Sequence, residues 1–232
     1  LITQPGLSLA DLTQPLTDVD AVSVRSAAKV PREAMSATTR LKVIGRAGVG
    51  VDTIDVDAAT EKGIAVLNAP AGNTISAAEL TMALMLSLAR RVAAADRSMK
   101  AGAWDRAKLG GSELYGKTLG LVGAGRIGGE VATRARAFGM RVLIHDPYLH
   151  PDRAKSLGAE LGTLDQVLAE ADVLSVHVPL TDGTTGLIGA AQLARLKKSA
   201  FVVNVARGEI IDAAALIGAL RAGSIAGAGL DV

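Results

Sequence analysis

Between Lys117 and Pro147 the chain reads KTLGLVGAGRIGGEVATRARAFGMRVLIHDP, a stretch that leaves little choice of fold. An apolar run, Thr118 to Val122, meets a glycine-rich turn, Gly123-Ala-Gly125-Arg126-Ile127-Gly128. A helix-period pattern follows, with Ile127, Val131, Ala135 and Phe138 on one side and Gly139 at its end. A second apolar run, Arg141 to Ile144, stops at Asp146-Pro147. Strand, turn, helix and strand fit within about 30 residues, the size of one βαβ unit. Strands joined through helices commit the chain to a parallel, layered α/β sheet.

The three glycines have separate jobs. Gly123 permits a tight turn off the strand, Gly125 lets main chain approach a pyrophosphate, and Gly128 lets helix and strand pack closely. The helix opening there aims unpaired N–H groups and a positive dipole end at phosphates. Asp146 stands roughly 20 residues further on, where a carboxylate accepts hydrogen bonds from an adenosine ribose. It would repel a 2′-phosphate, which favours NAD over NADP. A bare GxGxxG is a weak signal; flanking strands, helix and distal acid make dinucleotide binding the preferred reading. Two others stay open here: a glycine turn kept for packing alone, and a methyltransferase loop for S-adenosylmethionine.

The 232 residues suffice for one large domain or two small ones. Aromatic residues make up 2% against 49% hydrophobic in all, so the core is expected to be mostly Ala, Val, Leu and Ile. A net charge of +2, with no basic block interleaved with aromatics, gives no footprint for nucleic acid. There is no cysteine, which excludes disulfides and thiolate metal sites and agrees with the cytoplasmic location we expect. The longest apolar run, Leu80 to Ala89, is too short for a bilayer, so no membrane partner is expected. The chain starts on Leu1 rather than Met and finishes in the strand-like Gly229-Leu-Asp231-Val232, so we expect a piece of a longer protein.

Along the chain, strands are expected at Leu1 to Thr3, Ala21 to Val24, Leu41 to Ile44 and Ile64 to Leu67. Helices are expected at Leu7 to Leu16, Pro31 to Met35 and Ile54 to Lys62. Gly72-Asn73-Thr74 opens one long helical stretch to about Met99, with a capping-box match at Ser76 and Glu79 and alternatives at Asn73 or Thr74. It is apolar on most sides, which suits burial between layers or subunits. A domain boundary is expected near residue 70. Beyond Asp146, helices are expected at Leu164 to Ala169, Ala190 to Leu196 and from Asp212 to Arg221. Strands are expected at Asp172 to Val178, Ala200 to Val205 and Ile225 to Leu230. That gives the second domain about five parallel strands.

Ligands in open α/β sheets bind past the carboxyl ends of the strands. Arg25, Arg46, Gly123, Asp146, His177, Arg207 and Asp231 fall there. Three arginines suggest an anionic substrate, because guanidinium grips carboxylate or phosphate with two prongs. His177 is the tempting general base, yet its place in an apolar strand beside Pro179 favours a structural part. His145 and His150 are read as non-catalytic. No spacing of His or carboxylates suggests a metal.

The runs GRAGVGVDTIDVDAAT, NAPAGNTISAAE, ELYGKTLGLVGAGRIGGEVA, HVPLT and NVARGEIID occur in this order. Together they resemble the D-isomer-specific 2-hydroxyacid dehydrogenases over essentially the whole chain. The resemblance implies a Rossmann-like doubly wound parallel sheet for NAD over residues 70–232. It also implies a partial flavodoxin-like α/β substrate domain over residues 1–69. The run VRSAAKV, Val24 to Val30, points within the family to oxidation of 3-phosphoglycerate to 3-phosphohydroxypyruvate in serine synthesis.

By match to the family's motifs, Arg207 would hold the substrate's carboxylate and carbonyl, with Arg25, Arg46, Val49 and Gly50 on the substrate side. Gly123, Gly125, Arg126, Ile127, Gly128 and Asp146 would bind the adenosine diphosphate part of NAD. Val178, Pro179, Val205, Arg207 and Asp231 would line its nicotinamide end. The family also forms homodimers through the NAD domain, or tetramers, with the long helix and the Trp104 segment, including Arg106, reaching across. Two departures stand out. Ala28 sits where the family commonly has Thr. The family's catalytic Glu and His lie beyond its LDV strand, so the piece ending at Val232 is expected to be inactive alone while still binding NAD. Two other readings remain: a reductase of glyoxylate, hydroxypyruvate or another 2-keto acid, and a non-enzymatic NAD-sensing scaffold or corepressor.

Overall fold

The computed structural model describes residues 16–25, 28–36 and 38–232. The strand expected at Leu1 to Thr3 and nearly all of the helix expected at Leu7 to Leu16 lie outside the described residues. The chain forms two compact units, Leu1–Asn73 and Thr74–Val232. Among the described residues no helix is long and apolar enough to cross a membrane.

In the first unit, β1 (Ala21–Val24), β2 (Val43–Arg46) and β3 (Ala65–Asn68) run parallel in that order. Two short helices, α1 (Arg32–Ser36) and α2 (Val56–Glu61), close the crossovers. Asp55 caps α2, its side chain accepting the Ala58 N–H at 2.8 Å. Val24, Val30, Met35, Ile44, Ile54 and Ile64 make the core of this unit. In β2 the strand runs two residues further than its apolar letters, and Arg46 is its last member.

The second unit holds β4 (Thr118–Val122), β5 (Arg141–His145), β6 (Glu160–Leu161), β7 (Val173–Val176), β8 (Phe201–Asn204) and β9 (Gly227–Leu230). All neighbours are parallel, and the order is β6-β5-β4-β7-β8-β9. This is the doubly wound dinucleotide-binding order, with the reversal between β4 and β7. Helices cover both faces. On one, α3 (Thr74–Ala89) and α5 (Arg126–Ala137) place Ala78, Met82, Met85, Val131 and Ala135 against Leu119, Leu121 and Ile144. On the other, α7 (Leu164–Glu170), α8 (Ala190–Leu193) and α9 (Ala213–Arg221) pack Val167, Leu168, Leu193 and Leu216 against Val122, Leu174 and Val202. Thr163 starts α7 with a capping box to Gln166, and Asp212 caps α9 through the Ala215 N–H at 3.0 Å.

Three expectations are corrected. The sheet has six strands rather than about five, because β6 is a two-residue, exposed edge strand with no apolar run to announce it. A helix, α6 (Pro151–Ser156), forms where none was expected; Pro151 opens it and the His150 side chain accepts the Asp152 N–H. The long helix to Met99 is two helices, α3 and α4 (Val92–Lys100). Arg91 breaks it in a left-handed conformation, φ +53°, and its guanidinium donates to the Lys108 carbonyl at 3.0 Å. α3 also begins at Thr74, two residues before the Ser76 capping match.

Candidate active site

Parallel register decides which residues share the upper rim of the larger sheet. Val122 pairs with His145 and Val176, Val176 with Asn204, and Asn204 with Leu230. One step beyond that row stand Gly123, Asp146, His177, Val205 and Asp231. Val178, Pro179 and Arg207 follow within the same loops. The reversal of strand order falls between β4 and β7, where such sheets open a crevice.

The glycine turn is built for close approach. Gly123 has φ +90°, and a β-carbon there would lie 2.8 Å from the His177 carbonyl oxygen. A β-carbon on Gly128 would run into the Gly123 carbonyl oxygen, so α5 and β4 pack through that spot. Gly125 differs: it is exposed, and nothing lies within 4 Å of where its β-carbon would be. Gly125 is also the N-cap of α5 and supplies no side-chain cap. The first N–H groups of a 12-residue helix therefore look out beside bare backbone, the arrangement that takes phosphate oxygens. Arg126 is exposed at its first position and Ile127 is half-buried.

Asp146 is half-buried just past the end of β5. Its Oδ2 accepts the Ala124 N–H at 2.9 Å, and its Oδ1 accepts the Tyr148 N–H at 2.9 Å. An ionised carboxylate has about four acceptor positions, so two amides leave room for ribose hydroxyls. Bare main chain, an uncapped helix start and this carboxylate together fit a dinucleotide.

His177 is half-buried, and its Nε2 lies 2.8 Å from the Oγ of fully buried Ser175. Loss of hydration lowers its pKa from 6.5 to about 4, so the ring is neutral near pH 7. Its main chain supports the turn, with the His177 N–H donating to the Val122 carbonyl at 2.8 Å. Val178 is half-buried and Pro179 exposed immediately beyond it.

After β8, Val205 and Arg207 are half-buried, and the Arg207 Nη1 donates to the Ala206 carbonyl at 2.7 Å. Asn204, 1% exposed, shapes this loop: its Nδ2 donates to the Arg207 carbonyl at 2.8 Å, and its Oδ1 accepts the Ala206 N–H at 2.9 Å. Sequence reasoning gave Asn204 no part; a polar residue ending an apolar strand was the available signal. Asp231 is exposed, its N–H donating to the Asn204 carbonyl at 3.1 Å.

The smaller unit gathers its own candidates at the carboxyl ends of β1 and β2. Arg25 follows β1 and is exposed, and Arg46 ends β2 at 7% exposure. The Arg46 Nη1 donates to the Ala47 carbonyl at 2.8 Å, while its buried Nε has no hydrogen-bond partner. Its guanidinium fills the space a side chain on Gly48 would need. Half-buried Val49 and Gly50 follow, and the Val49 carbonyl accepts the Asn68 Nδ2 at 2.7 Å.

Comparison with known proteins agrees with this geometry. Residues 82–232 match the family described as D-isomer specific 2-hydroxyacid dehydrogenase, NAD binding domain. Curated relatives called D-3-phosphoglycerate dehydrogenase are 51% identical over 227 residues in Archaeoglobus fulgidus and 52% over 225 residues in Bacillus subtilis. These alignments take in 98% and 97% of the chain but 43% of each relative, so the chain spans less than half their length. Among solved structures, a Thermus thermophilus protein is 40% identical with a TM-score of 0.89, covering 100% of this chain and 72% of that one. D-Lactate dehydrogenase from Aquifex aeolicus, complexed with NAD and lactic acid, is 37% identical with a TM-score of 0.89, covering 95% and 66%. The chain is a member of the D-isomer specific 2-hydroxyacid dehydrogenases and carries their NAD binding domain.

Proposed function

We propose that the protein oxidises 3-phosphoglycerate to 3-phosphohydroxypyruvate with NAD, the step that commits carbon to serine. The observation that carries this reading is identity of about half to the D-3-phosphoglycerate dehydrogenases along 97–98% of the chain. The arginine-bearing runs VRSAAKV, GRAGVGVD and NVARG lie within that span.

In this reading the larger unit holds NAD. The turn Gly123 to Gly128, with Arg126 and Ile127, takes the pyrophosphate, and Asp146 takes the adenosine ribose. Val178, Pro179, Val205 and Asp231 border the nicotinamide end. Nicotinamide supplies the hydride acceptor when bound. Arg207 holds the substrate's carboxylate and carbonyl and favours the planar keto acid as it forms. Arg25, Arg46 and the main chain at Val49 and Gly50 hold the substrate's anionic groups. The hydride leaves C2 with its electron pair while the hydroxyl proton passes to a base. The resemblance assigns that base to residues following the LDV strand. The smaller unit is then the substrate domain. The assembly is a cytoplasmic homodimer joined through the coenzyme domain, with α3 and the exposed Trp104 segment at the joint.

The test is NAD reduction by the complete gene product with 3-phosphoglycerate, set against glyoxylate and hydroxypyruvate in the reverse direction. We expect the phosphorylated acid to be preferred and Arg207→Lys to lose at least about tenfold in kcat/KM, because lysine cannot make the two-pronged grip. Equal or better turnover of glyoxylate would sink the assignment.

A further inference from the structure

Asn204 ends β8 between two apolar neighbours, Val176 of β7 and Leu230 of β9. It is almost wholly buried, so its side-chain amide must find hydrogen bonds inside the protein. It finds them on its own chain, two and three residues ahead. The Oδ1 accepts the Ala206 N–H, and the Nδ2 donates to the Arg207 carbonyl. A donor on one side and an acceptor on the other fix which end of the amide is which.

Between those two anchored groups lies the Ala206 carbonyl, and on it rests the Arg207 Nη1 at 2.7 Å. The perch of the guanidinium is thus the middle of a turn held at both ends by one side chain. The residues that follow have a different support. The Glu209 carbonyl accepts the Gly186 N–H at 2.8 Å, the Ile210 carbonyl accepts the Ile188 N–H at 3.1 Å, and the Asp212 N–H donates to the Ile188 carbonyl at 3.0 Å. Main chain alone therefore fixes residues 209–212 against the loop after β7, whereas a side chain shapes the turn that carries Arg207. The Asn204 main chain does separate work, its carbonyl accepting the Asp231 N–H. That bond does not involve the amide, so a change of side chain addresses the arginine turn in particular.

We propose that Asn204 is a positioning residue for the reaction, its amide presetting the main chain from which Arg207 reaches the substrate. The inference rests on the reading of Arg207 as the holder of the substrate's carboxylate and carbonyl, and adds what aims it. A two-pronged grip depends on the plane of the guanidinium, and that plane is set by the main chain beneath it. Without the amide, each substrate would have to order the turn as it binds, and the loss would fall on substrate turnover rather than on coenzyme.

The test is steady-state kinetics of the complete gene product with 3-phosphoglycerate, together with NADH titration. The variants are Asn204→Ser, Asn204→Asp, Arg207→Lys, and each Asn204 change combined with Arg207→Lys. Serine is too short to span both groups; aspartate keeps the acceptor for Ala206 but turns an oxygen on the Arg207 carbonyl. Each Asn204 variant is expected to lose about tenfold in kcat/KM and to keep its NADH affinity within about threefold. In the Arg207→Lys background the same changes are expected to cost less than about threefold, because a residue acting through the arginine has nothing left to aim. A side chain that merely stabilises the domain would lower both backgrounds alike, so additive losses would overturn the proposal. So would wild-type kcat/KM in both Asn204 variants, or loss of NADH binding in both. Full activity of Arg207→Lys would overturn the substrate role of Arg207 together with this proposal, whereas additive losses would leave that role standing.

Discussion

A single added methyl group separates the work of Gly125 from that of Gly128. At Gly128 it collides with the main chain of Gly123, where no flexible side chain can yield. Gly128→Ala should therefore cost roughly 1–3 kcal/mol of stability and lose coenzyme as well. At Gly125 the same methyl meets open space. Gly125→Ala should melt with the wild type yet bind NADH at least about tenfold more weakly, because the methyl stands where the pyrophosphate must approach. Thermal melts and NADH titration of the two variants check the contrast.

His177 makes a second prediction at this scale. Its folded pKa, about 4, lies below the ordinary 6.5, so as pH falls the unfolded chain takes up the proton first. Its contribution is complete above the ordinary value and is lost as pH drops towards the folded one, with a ceiling of about 3 kcal/mol that partial exposure reduces. His177→Asn should lessen the fall in melting temperature between about pH 7 and pH 5. The glycines and Asp146 could be found by spacing alone. The carboxylate's bonds to Ala124 and Tyr148, the Asn204 brace and the Ser175–His177 pair could not, because they depend on side-chain rotamers.

Elements announced by periodicity formed where the letters put them; those without it did not declare themselves. β4, α5 and β5 carry strong patterns and lie within a residue or two of expectation. β6 survives on two exposed residues because β5 offers it an edge, which is a tertiary reason. The break between α3 and α4 has no glycine or proline to mark it. Arg91 accepts a left-handed backbone there, a conformation costing roughly 1–2 kcal/mol for a residue with a β-carbon. Arg91→Gly relieves that cost but gives up the bond to the Lys108 carbonyl, so urea denaturation should show a net change within about 1 kcal/mol. Arg91→Val adds branching at the same φ and should lose about 1–3 kcal/mol.

Over the whole molecule, alternation of strands and helices gave the parallel sheets, and the short loops of unit two gave its neighbours on one side of β4. The jump that follows β6 was not written in any local pattern. Nothing between Gly158 and Asp172 announces that the chain will return to the other flank of β4, yet that jump creates the rim on which the candidate residues line up. It follows from the handedness and layering of the complete sheet.

The same order has a consequence during synthesis. β4 receives its first partner, β5, from the residues that leave the ribosome directly after it, while its second, β7, emerges only after two more helices and an edge strand. Throughout that interval the nascent domain carries the strand destined for its centre with one row of amides and carbonyls uncovered. A strand that ends up covered on both sides is thus, for a time, an open edge able to pair with another chain.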